Sequence, residues 1–134
     1  MAFVLDPRLK ADTLFAASLP ICDVLVMNDA RYAWLIGVPR VAGAAEWHDL
    51  GDEVRTQAFE EVMALSQIVA SIAGVEKVNI GALGNIVRQL HVHIIGRNSA
   101  DPAWPGPVWG HSSAQPYASG AADALIQAVK RLLP

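Results

Sequence analysis

The chain carries a single cysteine, Cys22, so no disulfide framework can form within it. That scarcity suits a reducing compartment, and a cytoplasmic location is the expectation. Cys22 lies beside Ile21 near a predicted strand start and reads as a small buried hydrophobe rather than a nucleophile. Charge is also sparse: 17% of residues are charged and the net charge is −3. With no basic excess there is no broad electrostatic footprint for DNA or RNA, so nucleic acid is not an expected partner. No apolar run reaches the roughly 20 residues of a membrane span. The N-terminus lacks a basic segment leading into a long apolar core, so neither a membrane nor a signal peptide is expected. Internal repeats, charge runs and low-complexity segments are missing too. What the chain has in quantity is apolar surface, 53% of its 134 residues. This excludes disorder and fits one compact domain, residues 1–134, with a sizeable core.

The apolar residues fall into patterns. Residues 3–19 mix Pro7 and charged side chains with Leu9, Leu14, Phe15 and Leu19, which suggests one or two short helical turns. Asp23 to Met27 reads as a strand, Asn28 to Arg31 as a turn, and Tyr32 to Val38 as the return strand stopped by Pro39. Val54, Ala58, Val62, Leu65, Val69 and Ile72 recur at three- and four-residue steps and predict a helix over Asp52 to Ala73. Asp52 and Glu53 suit its first turn and Gly74 its end. Val78 to Leu83 is a further strand, with Gly84-Asn85 as the turn into the next. A loop rich in Pro, Gly and Trp spans Asp101 to Gln115, and a closing helix follows over Ala121 to Leu132 with Ser119 as its N-cap. Short strand-to-strand turns imply antiparallel pairing. The expected fold class is therefore α+β, a mostly antiparallel sheet with one long central helix and a C-terminal helix.

The histidines single out one segment, Gln89-Leu90-His91-Val92-His93-Ile94-Ile95-Gly96-Arg97, which holds two of the chain's four. Strand side chains alternate between faces. Leu90, Val92 and Ile94 then form a core-facing row, while Gln89, His91, His93, Ile95 and Arg97 share the other face. Imidazoles and a guanidinium in one row need partners, and together they suit the handling of an anion.

The element order and the His-x-His strand ending in Ile-Ile-Gly-Arg resemble the histidine triad superfamily, over roughly Asp23 to Gly110. Its motif is His-x-His-x-His followed by two apolar residues, with apolar residues at x. Two registers fit. In the first, Gln89 stands for the first histidine, His91 for the middle one and His93 for the third. In the second, His91 is first, His93 is the middle one and Ile95 replaces the third. The first keeps Ile-Ile-Gly-Arg aligned and exchanges His for another hydrogen-bonding residue, and it is preferred.

The resemblance implies a nucleotide hydrolase or transferase acting at the α-phosphate of dinucleoside polyphosphates or nucleoside phosphoramidates. His91 would form a covalent nucleotidyl intermediate. His93 and Gln89 would contact phosphate or leaving-group oxygens, and Asn85, Asn28 and Arg97 would hold the nucleotide. It further implies a nucleotide as the small-molecule partner, a homodimer and no cofactor. A catalytically weak nucleotide-binding module and a metal enzyme using the His-x-His pair are the alternatives. The metal reading lacks a matching third and fourth ligand spacing, so no metal site is expected.

Outside the motif, His48 reads as exposed or capping, His111 as solvent-facing and Trp34 as core. Trp104 and Trp109 either cover the sheet edge or border the cleft.

Overall fold

A computed structural model describes residues 2–134. The chain runs α1 (Pro7–Asp12), β1 (Thr13–Ser18), β2 (Cys22–Met27), β3 (Ala33–Pro39), α2 (Asp52–Ala70), β4 (Lys77–Gly81), β5 (Val92–Arg97) and α3 (Asp123–Lys130). A single 3-10 turn, Trp47–Asp49, precedes α2. The strands form one five-stranded sheet in the order β1-β2-β3-β5-β4, every neighbouring pair antiparallel. The expected α+β class is the one observed.

Alternation along the strands gives the sheet two apolar faces. On one, Val24, Val26, Leu35, Val92 and Ile94 pack against Val62, Leu65 and Val69 of α2 and Val129 of α3. On the other, Leu25, Trp34, Ile36 and Ile95 lie under Leu9 of the short α1 and under Tyr32, Ala103 and Val108, so mostly irregular chain covers this side. β5 lies between β3 and β4 and is buried along its whole length. Gly96 lets α2 come close: a Cβ there would fall 2.7 Å from Val75 Cγ2 and 3.1 Å from Val69 Cγ1.

Several boundaries differ from the sequence reading. Residues 3–19 hold α1 but also β1, an edge strand that the sequence pattern does not predict. A register shift between Phe15 and Ala17 breaks its alternation, and with it the period-two signal. α2 stops at Ala70, and Gly74 takes a φ of +87° in the turn beyond. α3 is capped by Ala122 without a side-chain hydrogen bond, so Ser119 is not its N-cap. The passage from β4 to β5 is a connection over residues 82–91, not a tight turn at Gly84-Asn85. Gln89 and His91 therefore precede β5.

Arg97 is 1% exposed and anchors the covering loop. Its Nε and Nη2 donate to the two Asp101 carboxylate oxygens at 2.8 and 3.0 Å, its Nη1 to Asn79 Oδ1 at 2.8 Å, and its Nη2 also to the Gly106 carbonyl at 2.8 Å. Asp101 in turn accepts from the backbone N–H groups of Asn98, Ala103 and Trp104. The guanidinium, with those N–H groups, holds the Asp101 carboxyl down at about 2.

A buried pair with one partner removed leaves an uncompensated charge. Arg97→Met should lower unfolding free energy by about 3–5 kcal/mol in urea titrations. Asp101 has a lowered folded pKa, so its contribution is whole above the ordinary carboxylate range. It should be lost as pH falls from about 4 toward 2. That acid-side loss should be missing from Asp101→Asn.

Candidate active site

The imidazoles of His91 and His93 line a cavity of about 390 Å³ on the loop-covered side of the sheet, with Trp34, Asn85, Trp109 and Arg31 also in its wall. That volume lies at the small end of the range for ligand sites, about 300–1,000 Å³. A larger cleft of about 580 Å³ lies between α2 and β4, but Arg55 is its only ionisable side chain, and its walls are otherwise largely apolar. The titratable pair makes the smaller one the candidate site.

Both histidines are buried, at 6% and 5% exposure, and their ring centroids are 4.8 Å apart. Their tautomers follow from their neighbours. His91 Nδ1 lies 2.7 Å from the Gln89 carbonyl oxygen, which can only accept, so Nδ1 carries a proton. In the neutral ring the lone pair is then on Nε2. His93 shows the reverse. The Trp34 indole N–H, which can only donate, reaches its Nδ1 at 3.0 Å, so the proton of the neutral ring is on Nε2. Burial, and then the neighbouring His91, push the His93 pKa down to about 3, so the ring is neutral at physiological pH. One imidazole thus offers a bare nitrogen and the other an N–H.

Aromatic rings fix the pair. His93 lies edge-to-face between Trp34 and Trp109, with centroids at 5.7 and 5.5 Å. Trp109 is seated on Gly81, where an added Cβ would meet its ring at 3.0 Å. Elsewhere in the wall, Arg31 Nε and Nη2 grip the Asp29 carboxylate at 2.9 Å each, and its Nη1 donates to Ser112 Oγ at 2.6 Å. Burial is the largest single influence on the Asp29 carboxyl and pushes it up. Its hydrogen bonds from Arg31 and from the Gln115 N–H together outweigh that and hold it below its usual range.

The sequence-derived site residues divide. His91, His93 and Asn85 meet in the cavity. Asn28 does not: it borders two other surface clefts, and its Oδ1 accepts from the Tyr117 N–H at 2.9 Å. Arg97 is turned into its pair with Asp101 and is not in the cavity wall. Gln89 is half-buried outside the strand. Its Oε1 accepts from the Asp6 N–H and its Nε2 donates to the Val4 carbonyl, both at 2.8 Å. Both ends of its amide are bound to backbone. His48 and His111 are both exposed, as the sequence reading expects. Among the described residues, no three His, Cys, Asp or Glu side chains are grouped to hold a metal ion. The Trp34 contact and the Asp29–Arg31 pair are site features that the sequence reading does not contain. Trp109 has a signal there, as one of two options for its loop.

Comparison with known proteins identifies the family and the fold. The HIT domain family matches residues 9–100. The chain is 42% identical to a histidine triad protein from Bradyrhizobium japonicum, covering 98% of both chains with a TM-score of 0.94. It is 42% identical to one from Marinobacter aquaeolei VT8, covering 99% of this chain and 97% of that one, TM-score 0.94. A histidine triad protein from Sinorhizobium meliloti 1021 is 40% identical over 98% of this chain and 97% of that one, TM-score 0.93. No curated protein matches. With this coverage and a buried His-x-His pair at the head of the interior strand β5, the chain belongs to the histidine triad (HIT) family of nucleotide-binding hydrolases and transferases.

Proposed function

We propose that the protein hydrolyses a nucleotide at its α-phosphate, with His91 as nucleophile, acting on a dinucleoside polyphosphate or a nucleoside phosphoramidate. The observation that carries this reading is the opposite tautomers of the two rings. The His91 Nε2 lone pair attacks the α-phosphorus. A P–N bond to His91 forms as the bond to the leaving group breaks; the leaving group keeps the bonding pair, and an amine takes a proton from solvent as it departs. Water then displaces His91, releasing the nucleoside monophosphate, with one water consumed per turnover. The His93 Nε2–H donates to a phosphate oxygen, and because the ring stays neutral it does so without giving up its proton.

The geometry supports the first motif register, since His91 is the ring whose Nδ1 is fixed by a backbone carbonyl. Asn85 is exposed on the 82–91 connection and lines the cavity, which supports a role for it in holding a phosphate. Gln89 and Arg97 are left out of the proposed contacts because their side-chain groups already have the partners described above, and Asn28 because it lies outside the cavity wall.

The test is AMP release from diadenosine tetraphosphate and from adenosine phosphoramidate. His91→Ala should reduce turnover to background, and wild-type rates in that variant would refute the mechanism. His93→Ala should lose about 10²-fold in kcat, as expected for a lost donor to developing charge. Trp34→Phe keeps the ring stack but frees His93 Nδ1. It should lower kcat by about tenfold, the worth of one hydrogen bond of about 1.4 kcal/mol, with KM unchanged. Tight nucleotide binding without product from the wild type would instead support a binding module.

A further inference from the structure

Gln89 stands where the preferred register puts the first histidine, yet its amide is turned away from the cavity wall and clamps the N-terminal arm. The backbone at Gln89 does something separate, because its carbonyl is the acceptor for His91 Nδ1. That carbonyl lies outside the sheet. The β3 ladder reaches only to the Gly37–Val92 pair and the β4 ladder only to Gly81–His93. Among the described residues, two sets of bonds hold the 89–90 backbone. The Leu90 N–H donates to the Ala44 carbonyl at 3.0 Å, and the Gln89 amide makes its paired bonds to Val4 and Asp6. The arm is itself seated, since Phe3 and Leu5 pack on the cluster that includes Trp34 and Ile95.

We infer that Gln89 is a positioning residue: by locking residues 4–6 onto the connection ahead of β5, it holds its own carbonyl on His91 Nδ1 and so keeps the His91 lone pair on Nε2. The N-terminal arm becomes a working part of the site, though it lies 83 to 85 residues away in sequence. This rests on the His91 mechanism proposed above, but the clamp itself can be read without turnover.

The experiment is a double-mutant cycle on the full chain, combining Gln89→Leu with deletion of residues 2–5. Kinetics are measured with diadenosine tetraphosphate, and the His91 ring Nδ1–H is followed by NMR. Each change alone should lower kcat by about tenfold with KM within about twofold. The pair together should be no worse than either, because both remove one interaction. In both variants the Nδ1–H should exchange faster with water, at an unfolding midpoint that shows the fold intact. Gln89→Glu keeps the acceptor for the Asp6 N–H but opposes a carboxylate to the Val4 carbonyl, and it should show an intermediate loss. A raised KM in Gln89→Leu with a silent deletion would mean that Gln89 touches substrate, and would overturn the proposal. Additive losses, or a Nδ1–H that neither change affects, would overturn it as well. If the wild type shows no turnover but the Nδ1–H responds as expected, the clamp stands and the hydrolase reading fails.

Discussion

The hydrogen bond from the Trp34 indole to His93 Nδ1, made inside a buried stack of aromatic rings, governs the state of the whole site. An indole N–H has no acceptor role, so it dictates which nitrogen of His93 is bare. Burial dictates that the ring is neutral. A second ring beside it, held in the opposite tautomer by a carbonyl, completes a lone-pair and donor combination that free histidines in water would hold only part of the time. The site is set before any substrate arrives, which is where electrostatic catalysis gains most.

Much of the remaining fold keeps those two rings in place. The interior position of β5, paired on both sides, supplies the rigid element, and Gly96 lets α2 press close behind it. The other face has only the short α1, packed through Leu9, and irregular chain over it, so the covering loop is held by polar anchors. The Arg97–Asp101 pair with its ring of backbone donors does this, and Trp109, further along the same chain, closes on His93 over Gly81. Arg97 thus acts on the site at one remove, through the loop that it anchors. The Asp29–Arg31 pair leaves the far wall of the cavity without net charge, so in the proposed reaction the phosphate is held by directed donors rather than by a counter-charge.

The α+β class, the long helix and the two-sided character of β5 are legible in the sequence, because each is written in a local period: 3.6 for α2 and two for the strand. The same period misleads at Gln89, where alternation continues in the sequence past the point at which the flanking ladders stop. β1 is hidden for the opposite reason, since its bulge erases the alternation that would mark it. The Trp34–His93 bond joins residues 59 apart, and its existence depends on the register between β3 and β5, which no local pattern encodes. Arg97 invites reading as a ligand for an anion because a guanidinium follows two imidazoles. Its true anion, Asp101, lies only four residues on, in a turn whose direction depends on the loop's own packing.

Nitrogen-15 NMR of the histidine rings reports directly on whether two buried imidazoles are held in opposite tautomers with His93 neutral. The expected spectrum shows a proton on Nε2 and a bare Nδ1 for His93, unchanged down to about pH 4, and a proton on Nδ1 for His91. A His93 that titrates near 6.5, or that carries its proton on Nδ1 at neutral pH, would refute the tautomer assignment and the mechanism built on it.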